Sequence, residues 1–133
     1  MNRVELETYL AEAYNAERDC PWVKHPGYVV FRHRSNQKWF ALIMDVPKVK
    51  LGLQGDGLLD VVNLKCDPVM IGSLRTELGF FPAYHMNKEN WITVALDGSV
   101  ADDKIKMLLD MSVQATAVKA KRRLSTESDQ CKK

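Results

Sequence analysis

Residues 28 to 46 read YVVFRHRSNQKWFALIMDV, and this stretch decides the fold. Two runs rich in β-branched and aromatic side chains, YVVFRHR and KWFALIMDV, flank the short polar segment SNQ. Such runs separated by turn residues are typical of two antiparallel strands joined by a hairpin. The sequence therefore predicts a β-hairpin here, around which the other elements must pack.

Helices are predicted at both ends of the chain. Asn2 and Glu5 have the spacing of a capping box, and apolar residues follow at helical intervals, namely Leu6, Tyr9, Leu10 and Ala13. A long helix is predicted from about Ala101, with acidic residues at its start and KAKRR, residues 119 to 123, at its end, which suits the helix dipole. Its expected buried stripe is Ile105, Leu108, Leu109, Ser112 and Ala115.

The middle of the chain predicts further strands and one short helix. The segments VKLGL and LLDVVNLKC, separated by QGDG, indicate a second hairpin, and WITVAL alternates like a half-buried strand after a turn at MNKEN. Asp67 and Pro68 suit the N-cap and first position of a helix, and Gly79 suits its end. The expected buried face of that helix is Ile71, Leu74 and Leu78.

Together these elements predict a single α+β domain over residues 1 to 120. We expect two layers, in which an antiparallel sheet of about five strands packs against N-terminal, middle and C-terminal helices. Residues 121 to 133 are predicted to be the basic end of the last helix and a mobile polar tail, since STESDQCKK has little apolar surface to bury.

Composition restricts the class of protein. The chain has 133 residues, 46% of them hydrophobic and 27% charged, which is ordinary for one globular domain. No apolar run reaches the roughly 20 residues that a membrane span needs, and MNRVELETYLAE does not have the pattern of a signal peptide. Cys20, Cys66 and Cys131 are widely spaced, so neither a disulfide framework nor a zinc site is indicated. We expect a cytoplasmic protein with no membrane segment.

Four motifs occur together in an order typical of one family: KWFAL at 38 to 42, LKCDP at 64 to 68, PAYHMNK at 82 to 88 and WITVALDG at 91 to 98. On these motifs the chain resembles the MmcQ/YjbR family over roughly residues 4 to 120, and PAYHMNK is the specific part. The resemblance implies a compact α+β fold and DNA binding through two hairpin wings. The chain departs from the family pattern at Glu89 and Asn90, where basic or aromatic residues are common.

The implied wings carry most of the candidate DNA-binding residues. One wing would be the hairpin around Arg34 to Lys38, and the other the region around Lys48 to Leu53 or the turn at Asn87 to Asn90. Because long basic side chains on turns reach phosphates without reading bases, we expect weak, sequence-tolerant DNA binding. The candidate contacts are Arg32, Arg34, Lys38, Lys48, Lys50, Lys88, Lys121, Arg122 and Arg123. Trp39 or Trp91 could also stack on an unpaired base.

Two other functions remain open at this point. The net charge of +2 does not by itself indicate a nucleic-acid partner, and the basic residues could serve solubility alone. A sheet face bearing Trp39, Ala41, Ile43 and Trp91 could instead bind a partner protein or a second copy of the chain. An enzyme that uses His85 is the remaining alternative.

His85 is expected to be structural. A general base needs a nucleophile or an orienting acid, and neither stands at a recognised spacing from it. We expect its ring nitrogens to bond the backbone at a strand end, with Tyr84 and Trp91 anchoring the hairpin to the core. A metal site from His33, Cys66 and His85 would lack a local ligand pair, and phosphate-loop, nucleophile-elbow and zinc-protease motifs are absent from the sequence. We predict no catalytic residue, metal site or cofactor.

Overall fold

The computed structural model describes residues 1–117, which form three α-helices and a six-stranded antiparallel sheet. The helices are α1 (Arg3–Tyr14), α2 (Pro68–Leu74) and α3 (Asp102–Thr116). The strands are β1 (Glu17–Asp19), β2 (Val29–Arg32), β3 (Trp39–Pro47), β4 (Leu58–Lys65), β5 (Phe80–Pro82) and β6 (Trp91–Ala95). The predicted α+β class is confirmed, and among residues 1–117 no helix is long and apolar enough to cross a membrane.

The strands lie in the order β1-β2-β3-β4-β6-β5, and every neighbouring pair is antiparallel. The predicted hairpin is the β2–β3 pair. The predicted second hairpin is wrong, because Lys48–Leu51 forms one 3₁₀ turn and β4 pairs with β3 instead. Gly52 closes that turn at φ +78°, and its N–H donates to the carbonyl oxygen of Val49.

Two short strands raise the strand number above the predicted five. Glu17–Asp19 pairs along β2, and Phe80–Pro82 pairs along β6, so these segments form the two edges of the sheet. Each edge strand has only three residues, and β1 is wholly charged. Short, charged edges are a common way to prevent a sheet from pairing with another chain.

The sheet separates two apolar clusters. The cluster on the helical side contains residues of all three helices, including Leu6, Leu10, Ile71, Leu74, Ile105, Leu108 and Leu109. The cluster on the opposite side, here called the outer face, contains Val30, Leu42, Met44, Val46, Leu59, Val61 and Ala95. The helices therefore form one layer on one side of the sheet, as predicted, and within residues 1–117 the outer face is covered by loops and by the 3₁₀ turn.

A β-bulge interrupts the pairing of β2 with β3. Phe31 pairs with Ala41 and the next residue, Arg32, pairs with Trp39, so Phe40 is one extra residue on β3. Phe40 and Ala41 both belong to the helical-side cluster, whereas Trp39 packs against the outer cluster. The carbonyl oxygen of Phe40 accepts a 2.6 Å hydrogen bond from the hydroxyl of Ser112 in α3.

The capping predictions are confirmed at two helices. Asn2 and Glu5 form the reciprocal capping box of α1, and the Asp67 carboxylate accepts from the N–H of Val69 at 2.8 Å at the start of α2. The predicted buried faces of α1 and α3 are wrong at their C-terminal ends, because Ala13 and Ala115 are exposed. Tyr14 and Thr116 take the buried positions there, half-buried and buried respectively.

The end of α2 also differs from its prediction. The helix ends at Leu74, after which Thr76 and Glu77 donate to carbonyls only three residues earlier, so the helical phase is lost. Leu78 is consequently 81% exposed and does not belong to the buried face. Gly79, at φ +89°, lies in the turn before β5, where an added Cβ would lie 2.5 Å from the side chain of Val100.

The turn between β2 and β3 holds the last turn of α3. The His33 ring contacts the Thr116 hydroxyl through Nε2 at 2.8 Å, and the Asn36 amide donates to the Thr116 carbonyl at 2.9 Å. The structure describes α3 as far as Thr116. Residues 121–133, which include Lys121, Arg122 and Arg123, lie outside the described residues, and so does the predicted tail.

Replacing Asp67 should shift the stability of the domain. Asp67→Ala removes the acceptor for the Val69 N–H and a favourable charge at the start of α2, so the free energy of unfolding should fall by about 1 kcal/mol. Urea unfolding followed by circular dichroism measures the change. Asp56→Ala, at an exposed loop position, is the matched control and should leave the midpoint unchanged. An equal shift in both variants would contradict the capping role.

Replacing Ser112 tests the bulge. Its hydroxyl donates to the Phe40 carbonyl and accepts from the Lys65 N–H at 2.9 Å, so Ser112→Ala leaves two buried backbone groups unpaired. We expect a loss of about 1–3 kcal/mol in the free energy of unfolding. Chemical denaturation measures it, beside Ser73→Ala at an exposed position of α2. A Ser112→Ala protein as stable as the control would show that these two bonds do not hold the bulge.

Candidate functional site

Two loops cover the outer face of the sheet, beside the 3₁₀ turn that contributes Leu51. Residues 20–28 contribute Trp22 and Tyr28, and residues 83–90 contribute Tyr84 and Met86, all of which pack against the outer cluster. A loop that covers a sheet can leave space beneath it more readily than a helix, whose side chains interdigitate with the strands. The candidate site lies between these two loops.

A cavity of about 530 Å³ occupies this position, and all three tryptophans of the chain line it. The ring of Trp22 lies 5.4 Å from that of Trp39 with 77° between the planes, and 5.9 Å from that of Tyr28 with 74° between them. These edge-to-face contacts pack the three rings together, and hydrogen bonds from the His25 N–H to the Trp22 carbonyl and from the Tyr28 N–H to the His25 carbonyl support the loop that carries them. His25 stacks on Tyr28, with 4.5 Å between ring centroids.

The remaining lining comes from β3 and from the second loop. Leu42 and Met44 are contributed by β3, and the side chains of His85, Met86 and Asn87 lie with Trp91 on the other side. Among the described residues, no aspartate, glutamate, lysine or arginine lines this space. The cavity is therefore a largely apolar, aromatic site with a few polar groups, which is the usual composition of a small-ligand site.

A closed set of hydrogen bonds fixes the second loop to the sheet. The Tyr84 N–H donates to the Thr93 hydroxyl at 2.9 Å, that hydroxyl donates to the Asn63 Oδ1 at 2.5 Å, and the Asn63 amide donates to the Tyr84 carbonyl at 2.9 Å. Asn63 and Thr93 are both fully buried. The two strands thus use side chains to satisfy the backbone of a residue that belongs to no strand.

His85 follows this anchored residue and has an unusual backbone conformation. Its φ is +61°, in the left-handed region, and its ring lies 3.9 Å from the ring of Tyr84 at 50°. The expectation of a histidine bonded to the backbone is wrong, because His85 is exposed and its ring makes no hydrogen bond with the described residues. The expected anchoring role holds for Tyr84, which is half-buried against the outer cluster.

Burial raises the pKa of the Tyr28 hydroxyl, and the nearby Tyr84 and Asp45 raise it further. Ionising Tyr28 would place a negative charge in a partly apolar site close to those two groups, which disfavours the phenolate. Tyr28 is therefore neutral at physiological pH and can donate a hydrogen bond.

A second groove, of about 300 Å³, adjoins the cavity. Lys50 and Lys88 line it together with Leu51, Phe81, Pro82, Ala83 and Tyr84. Both lysines are exposed, and neither forms a salt bridge within the described part of the chain. Because Tyr84 lines the groove and its ring neighbour His85 lines the cavity, the two spaces meet at this ring pair.

Other predicted DNA-binding residues lie in different surroundings. Arg32 is paired with Glu17 and Asp19, each at 3.1 Å, and these contacts raise its pKa. Arg34 donates to the carbonyl oxygens of Asn15, at 2.9 Å, and Ala16, at 3.4 Å. The first wing thus has both arginines engaged within the protein.

Two lysines complete the predicted set within the described residues. Lys38 is exposed at the end of the β2–β3 turn, and Lys48 is half-buried. Burial alone would raise the pKa of Asp97, but hydrogen bonds from Ser99 and the charge of Lys48 hold it below its ordinary value. Lys48 therefore faces a carboxylate, unlike Lys50.

Two groupings that the sequence left conceivable do not form. His33 packs against Phe40, on the helical side, whereas His85 lines the outer cavity, and no group of three histidine, cysteine or acidic side chains within residues 1–117 could hold a metal ion. The predicted sheet face for a protein partner is also wrong. Ala41 and Ile43 are fully buried under the helices, because the bulge separates them from Trp39.

Sequence reasoning missed the part of the cavity that the first loop contributes. Trp39 and Trp91 were candidates for stacking, but Trp22, His25 and Tyr28 belong to a proline-flanked loop without periodicity, CPWVKHPGY. A tryptophan and a tyrosine within such a polar loop were the available signal, since large aromatic side chains usually need a surface to pack on.

The fold and the site define a small sheet domain with three helices on one face and a loop-covered aromatic cavity on the other. A family model described as YjbR matches residues 6–115, so the chain belongs to the YjbR family. The resemblance to that family is thereby confirmed.

Curated relatives bear names without a stated activity. The "Uncharacterized protein YyaQ" of Bacillus subtilis is 40% identical over 116 residues, which cover 87% of this chain and 98% of that protein. The "Uncharacterized protein YjbR" of Escherichia coli strain K12 is 43% identical over 54 residues, which cover 40% of this chain and 46% of that protein.

Solved structures share the fold. A crystal structure of a Pseudomonas syringae protein has a TM-score of 0.86 and 48% identity, and the match covers 88% of this chain and 100% of that one. A crystal structure of a Deinococcus radiodurans protein has a TM-score of 0.68 and 25% identity, covering 92% of this chain and 83% of that one. Neither description states a function.

Replacing Thr93 should release the second loop. Thr93→Val keeps the shape of the side chain but leaves the Tyr84 N–H and the Asn63 Oδ1 without their partner, so the free energy of unfolding should fall by about 1–3 kcal/mol. Hydrogen exchange at the Tyr84 amide should also become faster. Denaturation of Thr8→Val, at an exposed position of α1, serves as the control. An unchanged exchange rate at Tyr84 would contradict the anchoring role.

Proposed function

We propose that this protein binds nucleic acid through the groove lined by Lys50 and Lys88. The observation that carries the proposal is that these two lysines, from separate turns and without carboxylate partners among the described residues, line one groove on the outer face. They belong to the two segments that the family resemblance offered as alternatives for the second wing. In the fold both lysines line the same groove.

Two ammonium groups in one groove favour a polyanion with regularly spaced charges. Phosphate contacts of this kind release condensed counterions, give salt-dependent affinity and read no sequence. The apolar rim of the groove, including Leu51 and Phe81, accommodates sugar and base surface as well as phosphate. Weak, sequence-tolerant binding of DNA is the expected result.

In this proposal the arginines of the β2–β3 hairpin contribute less to phosphate binding than the two lysines do. Arg32 would have to leave two carboxylates, and Arg34 two carbonyl oxygens, before contacting a phosphate. Lys38 remains available because its side chain is exposed. In this proposal the protein acts by binding, no side chain is assigned a catalytic step, and DNA as the ligand agrees with a cytoplasmic location.

The proposal predicts a change in the salt dependence of binding. Replacing Lys50 and Lys88 together by alanine should weaken binding to a labelled single strand. Because each phosphate contact on a single strand contributes about 0.7 to the slope of log affinity against log salt, the slope should flatten by about 1.4. Fluorescence anisotropy at several salt concentrations measures the slope, with a duplex of the same sequence titrated in parallel.

The matched control removes the same charge from the helical side. Arg75→Ala combined with Lys106→Ala lowers the net charge equally at α2 and α3, and should leave the slope close to that of the wild-type protein. A Lys50 and Lys88 variant that binds like the wild type, or a control that weakens binding as much, would overturn the groove as the binding site.

A further inference from the structure

We propose that the aromatic cavity between the two loops takes one unpaired nucleobase that carries carbonyl oxygens, such as thymine or uracil, from the strand whose phosphates lie on Lys50 and Lys88. This inference rests on the proposed function and adds a base-binding site to it. The groove and the cavity meet at the Tyr84–His85 ring pair, so one strand can occupy both.

The shape of the cavity favours a flat ring. Trp22 and Trp39 meet at 77°, so a ring stacked on one indole presents its edge to the other. At about 530 Å³ the cavity lies within the usual range of roughly 300–1,000 Å³ for small-ligand sites. Stacking on aromatic side chains is also the main means by which proteins hold unpaired bases.

The polar groups of the cavity favour a ligand rich in acceptors. An indole nitrogen can only donate a hydrogen bond, and none of the three indole N–H groups donates to an atom of the described residues. Asn87 uses its Oδ1 to accept from the Glu89 N–H at 2.8 Å, which leaves its amide NH₂ for a ligand. Exocyclic carbonyl oxygens match these donors.

The lining residues of the cavity also favour an uncharged ligand. With no carboxylate or ammonium group lining the cavity within the described residues, a neutral ring fits better than a charged one. The phosphate would instead remain in the lysine groove, outside the aromatic walls. The two sites therefore divide one nucleotide between them, the base in the cavity and the phosphate in the groove.

The test separates the base from the phosphate. A labelled oligothymidylate and an abasic strand of equal length carry the same charges, and the full chain should bind the oligothymidylate at least about tenfold more tightly. Equal affinity for the two strands would overturn the base site while leaving the lysine groove intact.

A phosphate-free probe keeps the inference testable if neither strand binds. All three tryptophans line the cavity, so every indole N–H signal in a proton–nitrogen NMR spectrum reports on it. Titration with thymidine should shift these signals more than titration with deoxyadenosine, which has no carbonyl oxygen. Absence of shifts would overturn the cavity as a base site, and equal shifts would overturn the preference for a carbonyl-bearing base.

A pair of neighbouring variants provides the matched control. Trp22→Leu removes one aromatic wall from a loop outside the sheet, and it should abolish the difference between the oligothymidylate and the abasic strand. Val23→Ala alters a side chain that is 95% exposed and does not line the cavity, so it should preserve the difference. An undiminished difference in a folded Trp22→Leu protein would contradict the assignment.

Discussion

At Phe40 the β2–β3 pair carries one extra residue, and the Ser112 hydroxyl bonds the carbonyl oxygen of that residue. The extra residue reverses the side on which the preceding side chains lie, so Trp39 points to the outer face although Ala41 and Ile43 pack beneath the helices. Without it, strict alternation would place Trp39 in the helical-side core. The aromatic cavity thus depends on a hydrogen bond made on the opposite side of the sheet.

The apolar outer face of the sheet is covered in a different way from the helical side. No α-helix of the described residues packs there, and two loops supply aromatic side chains in place of a helical stripe. A loop placed against a sheet must satisfy its own backbone, which Asn63 and Thr93 do for Tyr84. The left-handed conformation of His85 immediately afterwards is maintained by that anchorage and directs its ring to the meeting point of the cavity and the groove.

Sequence patterns predicted the elements whose signals are local. The capping box at Asn2 and Glu5 and the N-cap at Asp67 depend on residues three or fewer positions apart, and both are present. The β2–β3 hairpin could be predicted for the same reason. Edge strand β1 was not, because its stability comes from the pairing of Glu17 and Asp19 with Arg32 and not from any apolar alternation of its own.

The candidate site was predictable only in part because it is assembled from distant segments. Trp39 and Trp91 could be recognised as exposed aromatic candidates, but their neighbour Trp22 comes from a loop whose position no periodicity defines. The placement of Lys50 and Lys88 in one groove could not be predicted either, because it depends on the 3₁₀ turn and on the side chains of two strands that fix the second loop. Arg32 and Arg34, by contrast, lie in the predicted hairpin, but Arg32 is paired with two carboxylates and Arg34 donates to two backbone carbonyl oxygens.

The contacts between the β2–β3 turn and the end of α3 have a consequence for synthesis of the protein. His33 and Asn36 emerge from the ribosome 83 and 80 residues before Thr116, the residue that their side chains hold. Contacts so distant in sequence close long loops, which is slow and is compensated only when the last element packs. A nascent chain that ends before α3 lacks the helix that shares the helical-side cluster with Phe40 and Leu64, so this side of the sheet stays partly uncovered until α3 is made.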